Sequence, residues 1–297
     1  MKAYIREICA GLEFPAEAVQ VMEEGWDRID GCSEARTGFA KWTSLYEKDI
    51  HMDYKAALEA VDEAAKEAGV HKYTAELLFF LLLTKPLKEA YLKRGIALQI
   101  WHDSCKDLYW KLMECKKMYD VWGSFVAWWF SGFFDMTRFA LGRLQFELID
   151  FPEGYEKSGR KKPEEMKQVI NVHIPSAGKL DMEDCRKSFA QAAAFFADAF
   201  PGEKVVFCCR SWMLYPPHAD FLKPDSGVVA FMKLFDIYTF EEDDGDLWRI
   251  LEVDYQGDAR ELKEDTSMQR AYKKWLLDGN HAGNGEGIFY WEKNAVK

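Results

Sequence analysis

The chain has 297 residues, of which 48% are hydrophobic and 30% charged, a composition typical of a globular protein of one or two domains. Its net charge of −11 at pH 7 disfavours nucleic acids and anionic membrane surfaces as partners, because both are negatively charged. The seven cysteines include no Cys-x-x-Cys pair. The N-terminus lacks the apolar core of a signal peptide, and no apolar run reaches the ~18 residues of a membrane span. We therefore expect a cytoplasmic protein with reduced thiols.

The first part of the sequence predicts one helix after another. The first of these has Pro15 in its opening turn, where a missing N–H is tolerated. The next begins at Asp53, a good N-cap, and ends at Gly69. A third opens at Thr74 and is apolar on nearly every side, which predicts burial, and Pro86 should kink or break it. Residues 100–122 predict a single further helix.

Near residue 136 the pattern changes to strands and helices. TRFALGRLQFELIDF alternates polar and apolar residues, as a half-buried strand does, and the polar EGYEKSGRKKPEE predicts a hairpin-type loop. In the remaining segments, VINVHIP and KVVFCCRSW predict strands on either side of a helix over DMEDCRKSFAQAAAFF. PPHADFLKPDSGVVAFMKLF predicts an interrupted helix, and DIYTFEE and LWRILEVDY predict two strands joined by the acidic turn DDGD. SMQRAYKKWLLDG predicts a helix and GIFYW the last strand. The predicted fold class is α+β, with an all-helical domain over residues 1–135 packed on a mixed α/β domain over residues 136–297.

Metal and hydrolase sites are weakly indicated. His102 and Cys105 lie three apart on a helix without further ligands nearby, so we predict structural roles and no metal site. Ser211 lacks the flanking glycines of a nucleophile elbow. The glycine-rich DGNHAGNGEG lies between a helix and a strand, the wrong order for a phosphate loop, and is predicted to be a long turn.

The most informative stretch is VINVHIPSAGKLDMEDCRKSFAQAAAFF, which predicts a strand, a loop and a helix. Backbone N–H groups in such a loop can bind a pyrophosphate, and Gly178 and Lys179 suit that role. Asp181, Glu183 and Asp184 at the helix start argue against it, because carboxylates cap the free N–H groups and repel phosphate. From the residues alone, a phosphate cradle and a plain turn both stay open.

The order of elements from residue 169 onward resembles the GNAT superfamily of acyltransferases. FALGRLQFEL, VHIPSAGKLDMEDCRKSFAQAAAFF and FCCRSWMLYP together resemble a two-domain bacterial family with a helical N-acyltransferase N-terminal domain and a GNAT-like C-terminal domain. The resemblance covers most of the chain. The superfamily's phosphate loop resembles Gln/Arg-x-x-Gly-x-Gly/Ala, whereas this loop has one glycine, Gly178, before an acidic helix start.

The resemblance implies that an amine of a small molecule or peptide attacks acetyl-CoA or another acyl-CoA, held where the VINVHIP and KVVFCCRSW strands splay apart. It implies His173 or Glu147 as the base and Tyr215 as the acid. The implied co-substrate contacts are Ile174 at the thioester carbonyl and the loop residues at the pyrophosphate: Ser176, Ala177, Gly178 and Lys179.

Each of these residues also has a structural interpretation. His173 could be a hydrogen-bonded core residue, Glu147 could pair with Arg143, and Tyr215 could serve packing alone. For the whole protein, the alternatives are a non-catalytic GNAT-like binding module and a hydrolase with Ser211 or Cys209 as its nucleophile.

Overall fold

The computed structural model describes residues 1–163 and 166–293. The chain divides into two compact units, Met1–Ala140 and Leu141–Lys297. The division falls within the first strand, Arg138–Leu141.

The first unit is helical. Two of its helix ends follow the sequence closely: the Asp53 side chain accepts from the backbone N–H of Ala56 at 3.0 Å, and Gly69 closes the same helix in a left-handed conformation with φ 63°. The helices are α1 (Lys2–Gly11), α2 (Ala16–Gly31), α3 (Ser33–Lys48), α4 (Tyr54–Ala68), α5 (Lys72–Lys93), α6 (Leu98–Cys105), α7 (Asp107–Tyr119) and α8 (Ser131–Phe134), with a 3-10 turn at Ala127–Phe130.

The predictions in this unit were wrong at two places. Helix α5 begins two residues earlier than Thr74, and of the kink or break predicted at Pro86 the break does not occur. Its residues Leu83 and Leu87 on either side of the proline are fully buried, so packing against neighbouring helices holds the turn that has lost one hydrogen bond. The predicted single helix over residues 100–122 is two helices, α6 and α7, which meet at Lys106.

The second unit is built on a mixed sheet. Among the described residues its strands are β1 (Arg138–Leu141), β2 (Leu144–Asp150), β3 (Gln168–His173), β4 (Lys204–Ser211), β5 (Asp236–Glu242) and β6 (Gly283–Glu292), in the order β1-β2-β3-β4-β6-β5. Strands β3 and β4 pair in parallel, and the pairs β2–β3, β4–β6 and β5–β6 are antiparallel. The helices are α9 (Glu153–Lys157), α10 (Met182–Phe195), α11 (His218–Phe221), α12 (Gly227–Met232), α13 (Trp248–Leu251) and α14 (Ser267–Leu277), with 3-10 turns at Ala197–Ala199, Trp212–Leu214 and Asp244–Asp246.

The single strand predicted from TRFALGRLQFELIDF is a hairpin. The chain turns at Gly142, where φ is 74°, so β1 and β2 are separate strands. The segment predicted as a hairpin-type loop begins with the short helix α9, and its residues Glu164 and Glu165 lie outside the described part of the chain.

The strand predicted over LWRILEVDY was also wrong, because this segment contains helix α13. Leu247, Ile250 and Leu251 are 1%, 7% and 0% exposed and belong to one buried cluster. Their spacing of three and four residues is that of a helix face. The β-branched and aromatic residues in the segment favoured a strand, and the helical spacing of the buried positions was the better signal.

The second half of the glycine-rich segment predicted as a long turn belongs to β6, which begins at Gly283. A Cβ atom at Gly283 would lie 2.3 Å from the Tyr215 ring, and one at Gly285 would lie 2.1 Å from the Leu214 carbonyl oxygen. The alternating glycines therefore leave one side of the strand bare, and the chain that follows β4 packs directly on it.

The two faces of the sheet differ sharply. On one face, helix α10 places Phe189 within ring-centroid distances of 5.0 Å from Phe207 and 4.9 Å from Phe289. Cys208 and Cys209 alternate across β4, as the strand period requires. Cys208 lies in the buried cluster on the opposite face, where polar side chains also collect.

Candidate active site

The pairing between strands β3 and β4 stops before either strand ends. Their register pairs Ile170 with Phe207 and Asn171 with Cys208, and the described pairing stops there. Beyond this point β3 remains paired with β2, through His173 opposite Gln145, while β4 remains paired with β6. The parallel pair therefore opens toward the loop that follows β3.

A polar cluster lies next to this opening. The Glu147 carboxylate Oε1 is 2.7 Å from the His173 ring Nε2 and accepts from the Asn171 amide Nδ2 at 3.0 Å. The Glu147 and His173 side chains are only 16% and 20% exposed. Two residues from β3 and one from β2 thus meet on the face away from α10. A proton on the His173 Nε2 atom would be donated to an ionised Glu147 carboxylate.

The cluster continues onto β4, β5 and β6 through residues that sequence reasoning did not single out. The Cys208 thiol donates to the Asn171 Oδ1 atom at 3.7 Å, and burial, with Glu147 and Glu286 nearby, raises the pKa of that thiol to about 12. The Tyr238 hydroxyl donates to Glu286 at 2.8 Å. A β-bulge at Tyr238 produces this contact by shifting the β5 register, a feature that alternation alone does not reveal.

The loop between β3 and α10 is held by Arg143. Its guanidinium donates to the carbonyl oxygens of Pro175 at 3.1 Å, Gly178 at 3.1 Å and Lys179 at 3.4 Å. Arg143 therefore contacts the loop and not the Glu147 partner suggested from sequence, because the hairpin turn at Gly142 places it beside the loop. Burial lowers the pKa of the Arg143 guanidinium.

The loop itself turns at Gly178, which has a left-handed backbone conformation. Ile174 and Ala177 are partly buried, while Ser176, Gly178 and Lys179 are exposed. Gly178 has φ 77°, and a Cβ atom there would meet nothing within 4 Å. The backbone conformation, and not a lack of space, is what favours glycine at this position.

The acidic start of α10 caps the helix, as the sequence indicated. The Asp181 carboxylate accepts from the backbone N–H groups of Glu183 at 2.8 Å and Asp184 at 3.4 Å. These two hydrogen bonds hold the pKa of Asp181 below its usual range. The helix therefore has its own cap at Asp181.

Tyr215 lies at the end of the sheet toward which β3 and β4 open. It is 3% exposed, and its ring packs against His218 and Phe240 at centroid distances of 5.8 and 6.1 Å. Burial, and then the carboxylates of Glu242 and Asp244, raise the pKa of its phenol. Tyr215 is thus protonated at neutral pH, in a position fixed by the bare glycine side of β6.

The alternative nucleophiles are poorly placed for attack. Cys209 is 2% exposed, and burial raises the pKa of its thiol well above the usual value, so a thiolate is disfavoured. The Ser211 hydroxyl accepts from the Met213 N–H at 3.2 Å and caps the 3-10 turn after β4. Among residues 1–163 and 166–293, no group of three or more His, Cys, Asp or Glu could hold a metal ion, and no helix is long and apolar enough to cross a membrane.

The strand order and the splayed parallel pair define the second unit as a GNAT-like domain. Residues 3–136 match the N-acyltransferase N-terminal domain family, and residues 139–289 match the GNAT-like C-terminal domain family. The chain therefore belongs to the two-domain acyltransferase family that combines these domains, as the sequence motifs indicated.

Solved structures confirm the fold. An acyltransferase in complex with decanoyl-CoA and teicoplanin is 20% identical with a TM-score of 0.72, and the match covers 96% of this chain and 87% of that chain. An acyltransferase in complex with CoA and 10C-teicoplanin is also 20% identical, with a TM-score of 0.71 and coverage of 96% and 86%. No protein of curated function matches the sequence.

Proposed function

We propose that this protein is an acyl-CoA-dependent N-acyltransferase that acylates an amine of a small molecule or peptide. The observation that carries the proposal is the Glu147–His173 pair, 2.7 Å apart, beside the opening between β3 and β4. Family membership supports acyl transfer. The similar structures were solved with acyl-CoA or CoA, and two of them with teicoplanin compounds, which supports acyl-CoA as the donor.

In this proposal His173 is the base and Glu147 positions it. The acceptor reacts as a free amine, so its ammonium form must first lose a proton. His173, hydrogen-bonded to Glu147, takes that proton, and the Glu147 carboxylate stabilises the resulting imidazolium. Asn171 donates to the same carboxylate oxygen and fixes its orientation.

The amine nitrogen then attacks the thioester carbonyl carbon, so a C–N bond forms and the C–S bond breaks. Backbone groups near Ile174, at the inner edge of the opening, would polarise the carbonyl. The departing thiolate takes a proton from Tyr215, which is protonated because its pKa is raised. The second proton that the nitrogen loses as the amide forms returns to the Tyr215 oxygen. The loop from Ser176 through Ala177 and Gly178 to Lys179 would hold the pyrophosphate.

The proposal is tested first by calorimetry of CoA and acetyl-CoA binding to the wild type and to Gly178→Asp. An aspartate at φ 77° is strained and places a carboxylate beside the pyrophosphate, so binding should be lost. Gly257→Asp is the matched control, because Gly257 has φ 91° and also meets nothing within 4 Å. We expect micromolar binding to the wild type and to Gly257→Asp only.

Two results would contradict the proposal. Absence of binding at millimolar CoA would favour the non-catalytic GNAT-like binding module. Equal binding by Gly178→Asp and Gly257→Asp would show that CoA, if it binds, does not use this loop.

A further inference from the structure

Arg143 is the one side chain in the hairpin turn that reaches three separate carbonyls of the β3–α10 loop: those of Pro175, Gly178 and Lys179. All three guanidinium nitrogens take part. A guanidinium offers five N–H donors in a rigid planar fork, so one residue can fix several carbonyl directions at once.

The turn that carries Arg143 is itself fixed to helix α10. The Ser188 hydroxyl oxygen accepts from the backbone N–H groups of Arg143 at 2.6 Å and Leu144 at 3.3 Å. A Cβ atom at Gly142 would lie 2.7 Å from the same oxygen, so the turn sits directly on the helix. Turn, helix and loop are therefore joined through one serine and one arginine.

The direction of the loop carbonyls determines the direction of its N–H groups. In a planar trans peptide, the carbonyl of one residue and the N–H of the next point in opposite directions. Because the Gly178 and Lys179 carbonyls point toward Arg143, the N–H groups of Lys179 and Leu180 point away from it. Two successive backbone donors aimed to one side form a concave site for an anion.

The charges around the loop support the same placement of the anion. Asp181, Glu183 and Asp184 would disfavour a phosphate at the start of α10. Asp181 is turned inward onto its own helix, and the Arg143 guanidinium adds a positive charge behind the loop. Arg143 thus both orients the loop donors and offsets the acidic helix start.

We propose that Arg143 is a positioning residue for pyrophosphate binding: it holds the Pro175–Lys179 loop so that the N–H groups of Lys179 and Leu180 face the pyrophosphate of CoA. The inference rests on the proposed function, since it presumes that CoA binds at this loop. It assigns the anion donors to the loop and not to the first turn of α10.

The test compares Arg143→Gln and Arg143→Lys with Arg186→Gln, which removes an exposed positive charge from α10. The probes are CoA and 3′-phosphoadenosine 5′-diphosphate, which contain the pyrophosphate, and pantetheine, which does not. Arg143→Gln should weaken both pyrophosphate ligands about tenfold, the loss expected for charge-assisted contacts. Arg143→Lys should fall between Arg143→Gln and the wild type, and pantetheine competition should change no more than in Arg186→Gln.

Backbone amide exchange over residues 176–180 gives a second readout, which should accelerate in Arg143→Gln and not in Arg186→Gln. Wild-type CoA affinity in Arg143→Gln would overturn the inference and leave the proposed function standing. A loss shared equally by all three ligands would reduce Arg143 to general stability and overturn it too. Absence of CoA binding by the wild type would instead remove the proposed function itself.

Discussion

The two units bury their side chains in different ways. In the helical unit, α5 is apolar on nearly every side, and its neighbours cover it with aliphatic and aromatic groups. In the second unit, the sheet face beneath α10 is apolar, and the other face carries a buried apolar cluster beside the polar side chains of Glu147, His173, Cys208 and Glu286. A sheet can bring polar groups from four strands to one place while its other face supplies the core, whereas a helix buried all round cannot. The chemistry is therefore expected on the sheet.

The largest expected effect comes from the polar face. His173→Gln removes the proposed base while an amide can still contact Glu147, so acyl transfer should fall about 10²–10⁴-fold. The measurement is release of free thiol from acyl-CoA in the presence of amine acceptors. His281→Gln, at an exposed ring beside Asp244, should keep full activity. If His173→Gln keeps more than about a tenth of the rate, the base lies elsewhere.

The apolar face should control stability. Phe207 is fully buried between Phe146, Phe189 and Phe289, so Phe207→Ala should lower the free energy of unfolding by about 3–5 kcal/mol in urea denaturation. Leu277→Ala, at a side chain that is 53% exposed, should change it by less than about 0.5 kcal/mol. A small effect of Phe207→Ala would mean that this face is not the core of the unit.

Buried titratable groups give the two units opposite pH dependence. His218 in the second unit is fully buried, which lowers its pKa from 6.5 to about 4. Glu76 in the helical unit is 6% exposed, and burial, then Asp62, raise its pKa from 4.5 to about 7. The His218 contribution to stability is complete above pH 6.5 and lost as pH falls toward 4, whereas the Glu76 contribution is complete below pH 4.5 and lost as pH rises toward 7.

Each contribution should change by about 1.4 kcal/mol per pH unit inside its own window. Denaturation curves between pH 4.5 and 7.5 test this with His218→Gln and Glu76→Gln. His218→Gln should remove the loss on the acid side, and Glu76→Gln should remove the loss as pH rises. Parallel pH curves for the wild type and both variants would show that neither group is buried as described.

The sequence was most informative where structure is decided locally. Asp53 and Gly69 mark the ends of α4 because capping involves residues within a few positions of one another. Of the kink or break predicted at Pro86, the break did not occur, since contacts with distant helices outweigh one lost hydrogen bond. Family motifs indicated both domains, which periodicity alone could not name.

For the candidate site, strand alternation placed Asn171 and His173 on one face, and the structure adds Glu147 to them through the β2–β3 register. The partner of Arg143 could not be predicted, because one turn residue decides whether its side chain continues along the strand or reaches the loop. Tyr238 was missed because a bulge changes the face to which it belongs. Registers and bulges depend on pairing between distant segments, which a single sequence does not record.

The bare side of β6 bears on how glycine-rich segments are classified. Gly283 and Gly285 repeat at the period of a strand, and each position meets main chain or a ring within 2.5 Å of an added methyl. A motif scan that only counts glycines would label this segment a nucleotide loop. In a saturation mutagenesis screen, substitutions at the odd-numbered positions 283 and 285 should instead be poorly tolerated, because two backbones are in direct contact there.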